Sequence, residues 1–283
     1  MSNIPFCTNL NGAQIISSYN ETTTHTGTVE FTSIPNYKAF TSTPYIFITP
    51  VYTGVGMFST NITARSINSF SYAKYYNGDN NAAGEFFYWM AIGSTGASGN
   101  VPFVANINGV KIITGYDSLG ANTGTITFTD VPEFSATPYV HMSLVTGTEN
   151  NFTINLKTVS KNNFTYGKYY NGTNKAYGED FYWIAIGPSY TSGNVPINKM
   201  LNNSKIIFGD YTEAPAVAHG TVNIGEEFTS APHILLNINR GGYDVGYTIN
   251  LTSVSNLTFG FVKNYQENSF APGERFQWMA IGN

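Results

Sequence analysis

The chain reads as an all-β protein built from three tandem, small, antiparallel, six-stranded β-sandwiches, and three observations predict it. First, the phrase GEFFYWMAIG at residues 84–93 returns as GEDFYWIAIG at 178–187 and as GERFQWMAIG at 273–282. Its tryptophans, Trp89, Trp183 and Trp278, lie 94 and 95 residues apart, a period that suits a compact domain rather than a solenoid unit. Second, short alternating runs are punctuated by Gly, Asn, Asp and Pro clusters. Third, no segment sustains an apolar 3.6-residue period with caps, so almost no helix is expected.

Other anchors keep the same step: Pro44, Pro138 and Pro232; the Gly-Thr-Val/Ile triplets at Gly27, Gly124 and Gly220; and the openings Asn3-Ile-Pro, Asn100-Val-Pro and Asn194-Val-Pro. They divide the chain into units 1–93, 94–187 and 188–283. In the second unit the strands read Val110–Ile113, Gly124–Phe128, Tyr139–Val145, Phe152–Val159, Phe164–Tyr170 and Phe181–Ile186. Ninety residues of such strands bury a core by folding into two packed sheets.

The repeated phrase is the last strand of each unit. Alternation puts Glu85, Phe87, Trp89 and Ala91 on one face and Phe86, Tyr88, Met90 and Ile92 on the other. The first face repeats closely and is the expected sandwich core, with its Glu at the rim. The second varies at its start (Phe86, Asp180, Arg275; Tyr88, Tyr182, Gln277) yet ends apolar every time, at Met90/Ile92, Ile184/Ile186 and Met279/Ile281. A strand apolar on both faces needs two covers, and the second cover is expected to be another copy of the unit. The links at 94–102 and 188–196 reach about 30 Å when extended, enough for an intrachain pseudo-trimer. A linear row of domains and trimerisation with two other chains are the alternatives.

Charged residues are 11% of the chain and the formal net charge is −4, which excludes a basic nucleic-acid binder. No apolar run reaches the length of a membrane span, and MSNIPFCTNL lacks the layout of a secretory signal, so synthesis in the cytosol is expected. The single cysteine, Cys7, cannot form an intrachain disulfide and reads as a half-buried thiol. Each unit shares one acid, Glu85, Glu179 or Glu274, whereas glycoside hydrolysis ordinarily takes two carboxylates, so a rim hydrogen bond is the expected role. His25, His141, His219 and His233 lack metal-ligand spacing, and no nucleophile arrangement or phosphate-cradling loop is present. No enzyme activity, metal or cofactor is expected.

A Phe then Pro before the third strand (Phe134, Pro138), the turn Val159-Ser-Lys-Asn-Asn-Phe164, an aromatic strand and a closing Trp183-Ile-Ala-Ile186 make each repeat resemble the H-type lectin family. The resemblance covers nearly the whole chain. It implies six-stranded sandwiches that bind sugars such as N-acetylgalactosamine without catalysis, often without metal, commonly as trimers with sites beside the subunit interface. Carried over, the family's Arg falls at Asn151, Met57 and about Asp244, and its Trp-His pair at Asn171-Gly172, Asn77-Gly78 and Asn264-Tyr265. Its later Tyr falls at Tyr177, Ala83 and Pro272, and an Asp corresponds to Asp117.

Those departures leave the specificity open, but the region is rewritten as Lys74-Tyr75-Tyr76-Asn77-Gly78 and Lys168-Tyr169-Tyr170-Asn171-Gly172, with Lys263-Asn264-Tyr265 as a divergent third. Aromatic faces take the C–H side of a sugar and amides take its hydroxyls. The candidate carbohydrate-binding residues are therefore Tyr75, Tyr76, Asn77, Asp117, Asn151, Lys168, Tyr169, Tyr170, Asn171, Tyr177 and Tyr265. The competing structural reading is that one Tyr of each pair packs inward and Asn-Gly makes a turn. The expected role is carbohydrate binding for recognition or adhesion at a cell surface, with a cell-surface glycan as partner and action outside the cell or on a virion. The alternative is a structural or decorating protein of a virus or phage particle, partnered by other virion proteins.

Overall fold

The structure, a computed structural model, describes residues 6–10, 12–53, 56–77, 80–96, 104–107, 110–118, 120–128, 134–146, 151–170, 174–175, 178–188, 198–201, 204–211, 217–239, 246–265 and 274–283. The first repeat runs β1 (Phe6–Leu10), β2 (Ala13–Asn20), β3 (Thr26–Glu30), β4 (Tyr45–Val51), β5 (Phe58–Arg65), β6 (Ser69–Tyr76), β7 (Asn80–Asn81) and β8 (Phe86–Ser94). The second follows as β9 (Val104–Ile107), β10 (Val110–Asp117), β11 (Thr123–Thr127), β12 (Tyr139–Val145), β13 (Phe152–Val159), β14 (Asn163–Tyr170), β15 (Asn174–Lys175) and β16 (Asp180–Pro188). The third gives β17 (Asn198–Leu201), β18 (Ser204–Tyr211), β19 (His219–Asn223), β20 (His233–Asn239), β21 (Tyr247–Val254), β22 (Thr258–Tyr265) and β23 (Arg275–Gly282). Among the described residues the only helical turn is a 3-10 turn at Phe31–Ser33.

The six strands read for each unit are all present, and each repeat also opens with an additional short edge strand, β1, β9 or β17, of which β9 and β17 follow the links at 94–102 and 188–196. Leu10 pairs with Ala13, Ile107 with Val110 and Leu201 with Ser204, leaving two residues between the strands. In sequence these are Asn11-Gly12, Asn108-Gly109 and Asn202-Asn203, the turn chemistry of a tight hairpin, so the signal was present in the sequence. The unit boundaries fall one residue inside the ends of β8 and β16.

In each repeat two sheets face one another. In the first, β1-β2-β8-β4 packs on β3-β6-β5 through Phe31, Phe70, Phe87 and Trp89, the core face read from alternation. The packing motif recurs with little change: Phe70–Trp89, Phe164–Trp183 and Phe259–Trp278 meet edge to face, at 5.6, 5.6 and 5.5 Å between centroids. The glycine that ends the repeated phrase is explained by the same core. A Cβ on Gly93 would stand 2.8 Å from the Phe40 ring, and on Gly187 2.9 Å from Phe134, each beside the anchoring Pro44 or Pro138. Thus the Phe…Pro signature and the terminal Gly are one contact.

No repeat keeps its two sheets to itself. Sheet β1-β2-β8-β4 continues into β21-β22-β19 of the third repeat. Sheet β3-β6-β5 continues into β12-β16-β10-β9 of the second, and β11-β14-β13 into β20-β23-β18-β17 of the third. The three joins close a ring, first to second to third to first, which is the intrachain pseudo-trimer. Each join is parallel and brief, at Ile62↔Val145, Leu156↔Asn239 and Leu251↔Val51. A register shift just beyond it bends the strand away, between Ile62 and Ala64, Leu156 and Thr158, and Leu251 and Ser253.

Because so few backbone bonds cross each seam, side chains complete it. Ile48 N–H donates to Ser143 Oγ at 3.0 Å, and Leu236 N–H donates to Thr49 Oγ1 at 3.0 Å. At the remaining seam Val140 N–H donates to Gln277 Oε1 at 2.9 Å while Asn237 Nδ2 donates to the Val140 carbonyl at 3.1 Å. Within the ring, Met90, Ile92, Ile184, Ile186, Met279 and Ile281 lie buried in one hydrophobic cluster, the meeting expected from the second face. Beside them Tyr45 meets Tyr182 edge on at 5.3 Å, Tyr139 stacks on Phe208 at 5.4 Å, and His233 Nδ1 lies 2.5 Å from Ser17 Oγ.

Candidate functional site

Strands β6, β14 and β22 end in the Lys-Tyr-Tyr or Lys-Asn-Tyr stretches, and burial sorts their residues. Lys74, Lys168 and Lys263 are buried. Lys74 Nζ donates to the Thr22 carbonyl at 2.8 Å and the Glu85 carbonyl at 2.6 Å, while Lys168 and Lys263 donate to the carbonyls of Glu179 and Glu274. Each lysine thus holds the shared Glu of the repeated phrase through its backbone carbonyl. Burial pushes the three ammonium groups below the usual lysine range; Glu85 opposes this at Lys74, Asp117, Glu179 and Asp180 at Lys168, and Glu274 at Lys263. Burial also raises the Glu85 and Glu179 carboxyls, against the pull of their lysines.

Tyr75 and Tyr169 are buried, Tyr75 with its ring edge on to His25 at 5.3 Å. Asn77 is buried, with φ of 42°; its Oδ1 accepts from Met57 N–H at 2.8 Å and its own N–H donates to the Met57 carbonyl at 2.8 Å. Asp117, also buried, accepts from the Tyr166 hydroxyl at 2.6 Å. Asn151 is fully buried and accepts from Ser59 Oγ at 2.7 Å, across the seam from the first repeat. Asn171 and Tyr177 lie outside the described residues, as does Asp244.

Strand register corrects two carry-overs in the third repeat. Phe58 pairs with Tyr76 and Tyr247 with Tyr265, so Asn264-Tyr265 matches Tyr75-Tyr76 rather than Asn77-Gly78, and Gly246 rather than Asp244 matches Met57 and Asn151. Asn264 is buried and its Oδ1 accepts from Gly56 N–H at 3.3 Å, tying the third repeat to the first.

What remains half-exposed is the second tyrosine of each stretch. Tyr76, Tyr170 and Tyr265 stand directly across the strand pair from Phe58, Phe152 and Tyr247. Tyr170 lies 5.4 Å from Phe152, and Tyr265 stacks on Tyr247 at 4.9 Å. In the first repeat Tyr52 intervenes, stacked on Phe58 at 5.4 Å and tilted against Tyr76 at 5.6 Å. The three tyrosines hold equivalent register positions, each on an antiparallel strand pair, and the first differs in having Tyr52 inserted. Of the sequence candidates, Tyr76, Tyr170 and Tyr265 are therefore set alike around one end of the ring, and the other described ones spend their polar or ring groups inside it.

Sequence reasoning did not find Arg65. Its guanidinium crosses the seam to lie 4.3 Å over the Tyr116 ring and 5.0 Å over Tyr182, and the Tyr116 hydroxyl donates to the Asp180 carboxylate. At the matching positions the other seams carry Val254 with Tyr19, Tyr88 and Phe86, and Val159 with Asp210, Gln277 and Arg275. The variation at the start of the second face was the available signal, since each variant faces a different neighbour. A concavity of about 340 Å³ lies where Thr53 of the first repeat meets His219, Gly220, Thr221, Thr252, Phe261 and Val262 of the third.

Among the described residues no group of three His, Cys, Asp or Glu could hold a metal ion, and no helix is long and apolar enough to cross a membrane. No protein-family model, curated protein or solved structure matches the chain.

Proposed function

We propose that the chain is a non-catalytic carbohydrate-binding protein for recognition or adhesion at a cell surface, contacting its glycan through Tyr76, Tyr170 and Tyr265. The observation that carries this reading is the threefold repetition of a half-exposed tyrosine backed by an aromatic partner on a rigid strand pair. A preformed aromatic face costs little ordering on binding, and three copies on one scaffold convert weak single contacts into avidity. The H-type lectin resemblance supports the same reading by placing sugar sites beside the unit interfaces. The test is a glycan array probed with the natural chain and with Tyr76→Ala, Tyr170→Ala and Tyr265→Ala, singly and together. Single changes are expected to weaken binding to responding glycans and the triple change to lower it by about 100-fold, the scale of avidity. Binding unchanged in the triple variant overturns the proposal.

A second reading, a structural or decorating protein of a virus particle, is favoured by one observation. Met57 and Asn151, which stand where the family's Arg is carried over, are buried and turned to packing or seam bonding. Silence of the natural chain across the array, with virion proteins co-purifying at fixed stoichiometry, decides for it.

A further inference from the structure

The two sheets of the first sandwich bring a carboxylate to the tyrosine platform. Along β6, Phe70, Tyr72, Lys74 and Tyr76 alternate onto the face that looks across the sandwich, and Tyr76 is the last of them. Contacts with Phe87 of the opposite sheet, at 6.5 Å for Phe70 and 4.8 Å for Tyr72, fix that face. On the opposite sheet Val51 pairs with Phe86, and continuing that register sets Tyr52 against Glu85, on the face that carries Phe87 and Trp89. Tyr52, Tyr76 and Glu85 thus meet at one open end of the sandwich, and each is half-exposed. Burial, then Tyr76, then the Glu85 charge hold the Tyr52 phenol above its ordinary range, so the carboxylate is felt at the ring. The Tyr52 backbone is fixed in turn, its N–H donating to the Leu251 carbonyl of the third repeat at 2.8 Å.

This end differs from its two counterparts. Among the described residues nothing donates to the Glu85 carboxylate, and its oxygens reach solvent, whereas Glu179 Oε2 is enclosed. In the second repeat Val145 pairs with Asp180, so the residue set against Glu179 is Thr146, which is fully buried and has no ring. In the third, the residue in that register is Arg240, outside the described residues.

The chemistry of the three side chains restricts the ligand. Tyr52 lies 5.4 Å from Phe58 and 5.6 Å from Tyr76 between centroids, so the rings touch and leave no gap for a caged cation. They offer an apolar surface beside phenol hydroxyls. An ionised carboxylate only accepts hydrogen bonds, with two oxygens to share between neighbouring donors, and it repels anions.

We infer that Tyr52, Tyr76 and Glu85 form the strongest of the saccharide sites, one that takes an uncharged sugar ring by stacking its C–H face on the tyrosines while two neighbouring sugar hydroxyls donate to Glu85, and that rejects acidic sugars. The inference rests on the carbohydrate reading above and adds to it a charge selectivity and an unequal ring: one site with a carboxylate, and two platforms without an exposed one.

The test is a glycan array that prints neutral oligosaccharides beside the sialylated form of each, probed with the full chain and its variants. The natural chain is expected to prefer the neutral member of each pair. Glu85→Gln is expected to lower binding to neutral glycans about tenfold or more, the scale of a hydrogen bond to a charged group, and to narrow that preference. The Glu85 backbone carbonyl, which Lys74 holds, is untouched by the change, and an unaltered melting temperature separates loss of the site from loss of the fold. Glu85→Asp, which keeps the charge, is expected to retain the rejection of sialylated glycans, and Glu179→Gln to bind as the natural chain does. Tyr76→Ala is expected to cost more than Tyr170→Ala or Tyr265→Ala. Unchanged binding in Glu85→Gln, equal losses in Glu85→Gln and Glu179→Gln, equal losses in the three alanine variants, or equal binding of neutral and sialylated partners overturns the inference. Any of these outcomes, with binding still lost in the triple alanine chain, sinks this site and leaves the carbohydrate reading standing. A natural chain silent across the array sinks both.

Discussion

Asn155 and Tyr247 exchange two hydrogen bonds across the seam between the second and third repeats: Asn155 Nδ2 donates to the Tyr247 carbonyl at 2.9 Å, and Tyr247 N–H donates to Asn155 Oδ1 at 2.9 Å. A side-chain amide here imitates a strand neighbour at the place where the backbone ladder between repeats has ended. Asn155→Ala is therefore expected to leave a buried donor and acceptor unpaired and to destabilise the chain by about 2–6 kcal/mol, at about 1–3 for each orphaned group. Urea denaturation checks this, and a change below about 0.5 kcal/mol would show that the seam does not depend on the amide.

Lys168 separates the structural from the functional reading of the Lys-Tyr-Tyr stretch. Its ammonium is buried against the Glu179 carbonyl, so Lys168→Met should fill the same channel and leave that carbonyl without its donor. The expected loss is about 1–3 kcal/mol of stability with glycan responses unchanged, read by denaturation and by the array. Loss of glycan binding in a fully folded Lys168→Met chain would place the lysine in the binding site after all.

Acid sensitivity should come from the ring's interior. Burial pushes His141 down to about 3 and His233 down to about 4 from an ordinary 6.5. Since the folded state resists protonation and the unfolded state does not, their contribution is complete above pH 6.5 and is lost as pH falls toward those depressed values. The slope is about 1.4 kcal/mol per pH unit for each histidine. Positions equivalent to His141 hold Phe47 and Leu235, both buried and apolar. His141→Leu is thus expected to halve the acid slope due to this pair, measured as the unfolding free energy from pH 7 to pH 4. An unchanged slope would show that His141 is not protonation-linked.

Gly187 tests the link between the repeated phrase and the Phe…Pro signature. Gly187→Ala would put a Cβ 2.9 Å from the Phe134 ring and 3.1 Å from Pro138 Cα, where the backbone cannot yield cheaply. A destabilisation of about 1–3 kcal/mol is expected, lowering the melting temperature by about 2–4 °C per kcal/mol. A melting temperature at or above that of the natural chain would mean that the contact is loose.

Much of the architecture was legible along the chain because a strand has a period of two. Alternation alone assigned Phe87, Trp89 and Ala91 to a sandwich core and Met90 with Ile92 to a second buried face, and both assignments hold in every repeat. The hairpins that open each repeat were legible in principle, through Asn-Gly in the first two and Asn-Asn in the third, but their strands were too short to stand out as periodic runs. Alternation could not say which way the Lys-Tyr-Tyr residues would spend their polar groups. Lys168 and Asn77 have the chemistry of sugar-binding groups, yet each is used up by a carbonyl or N–H elsewhere in its own repeat.

Local sequence determines the face a side chain takes, since that follows from pleat geometry within a few residues. It does not determine what the face meets. Asn155 finds its partner 92 residues away, Arg65 lies on rings of the next repeat, and one concavity is lined by residues of all three repeats. The fold of each sandwich was written locally; the shared sheets and the seam bonds were decided by ring closure, because it sets which surfaces come together.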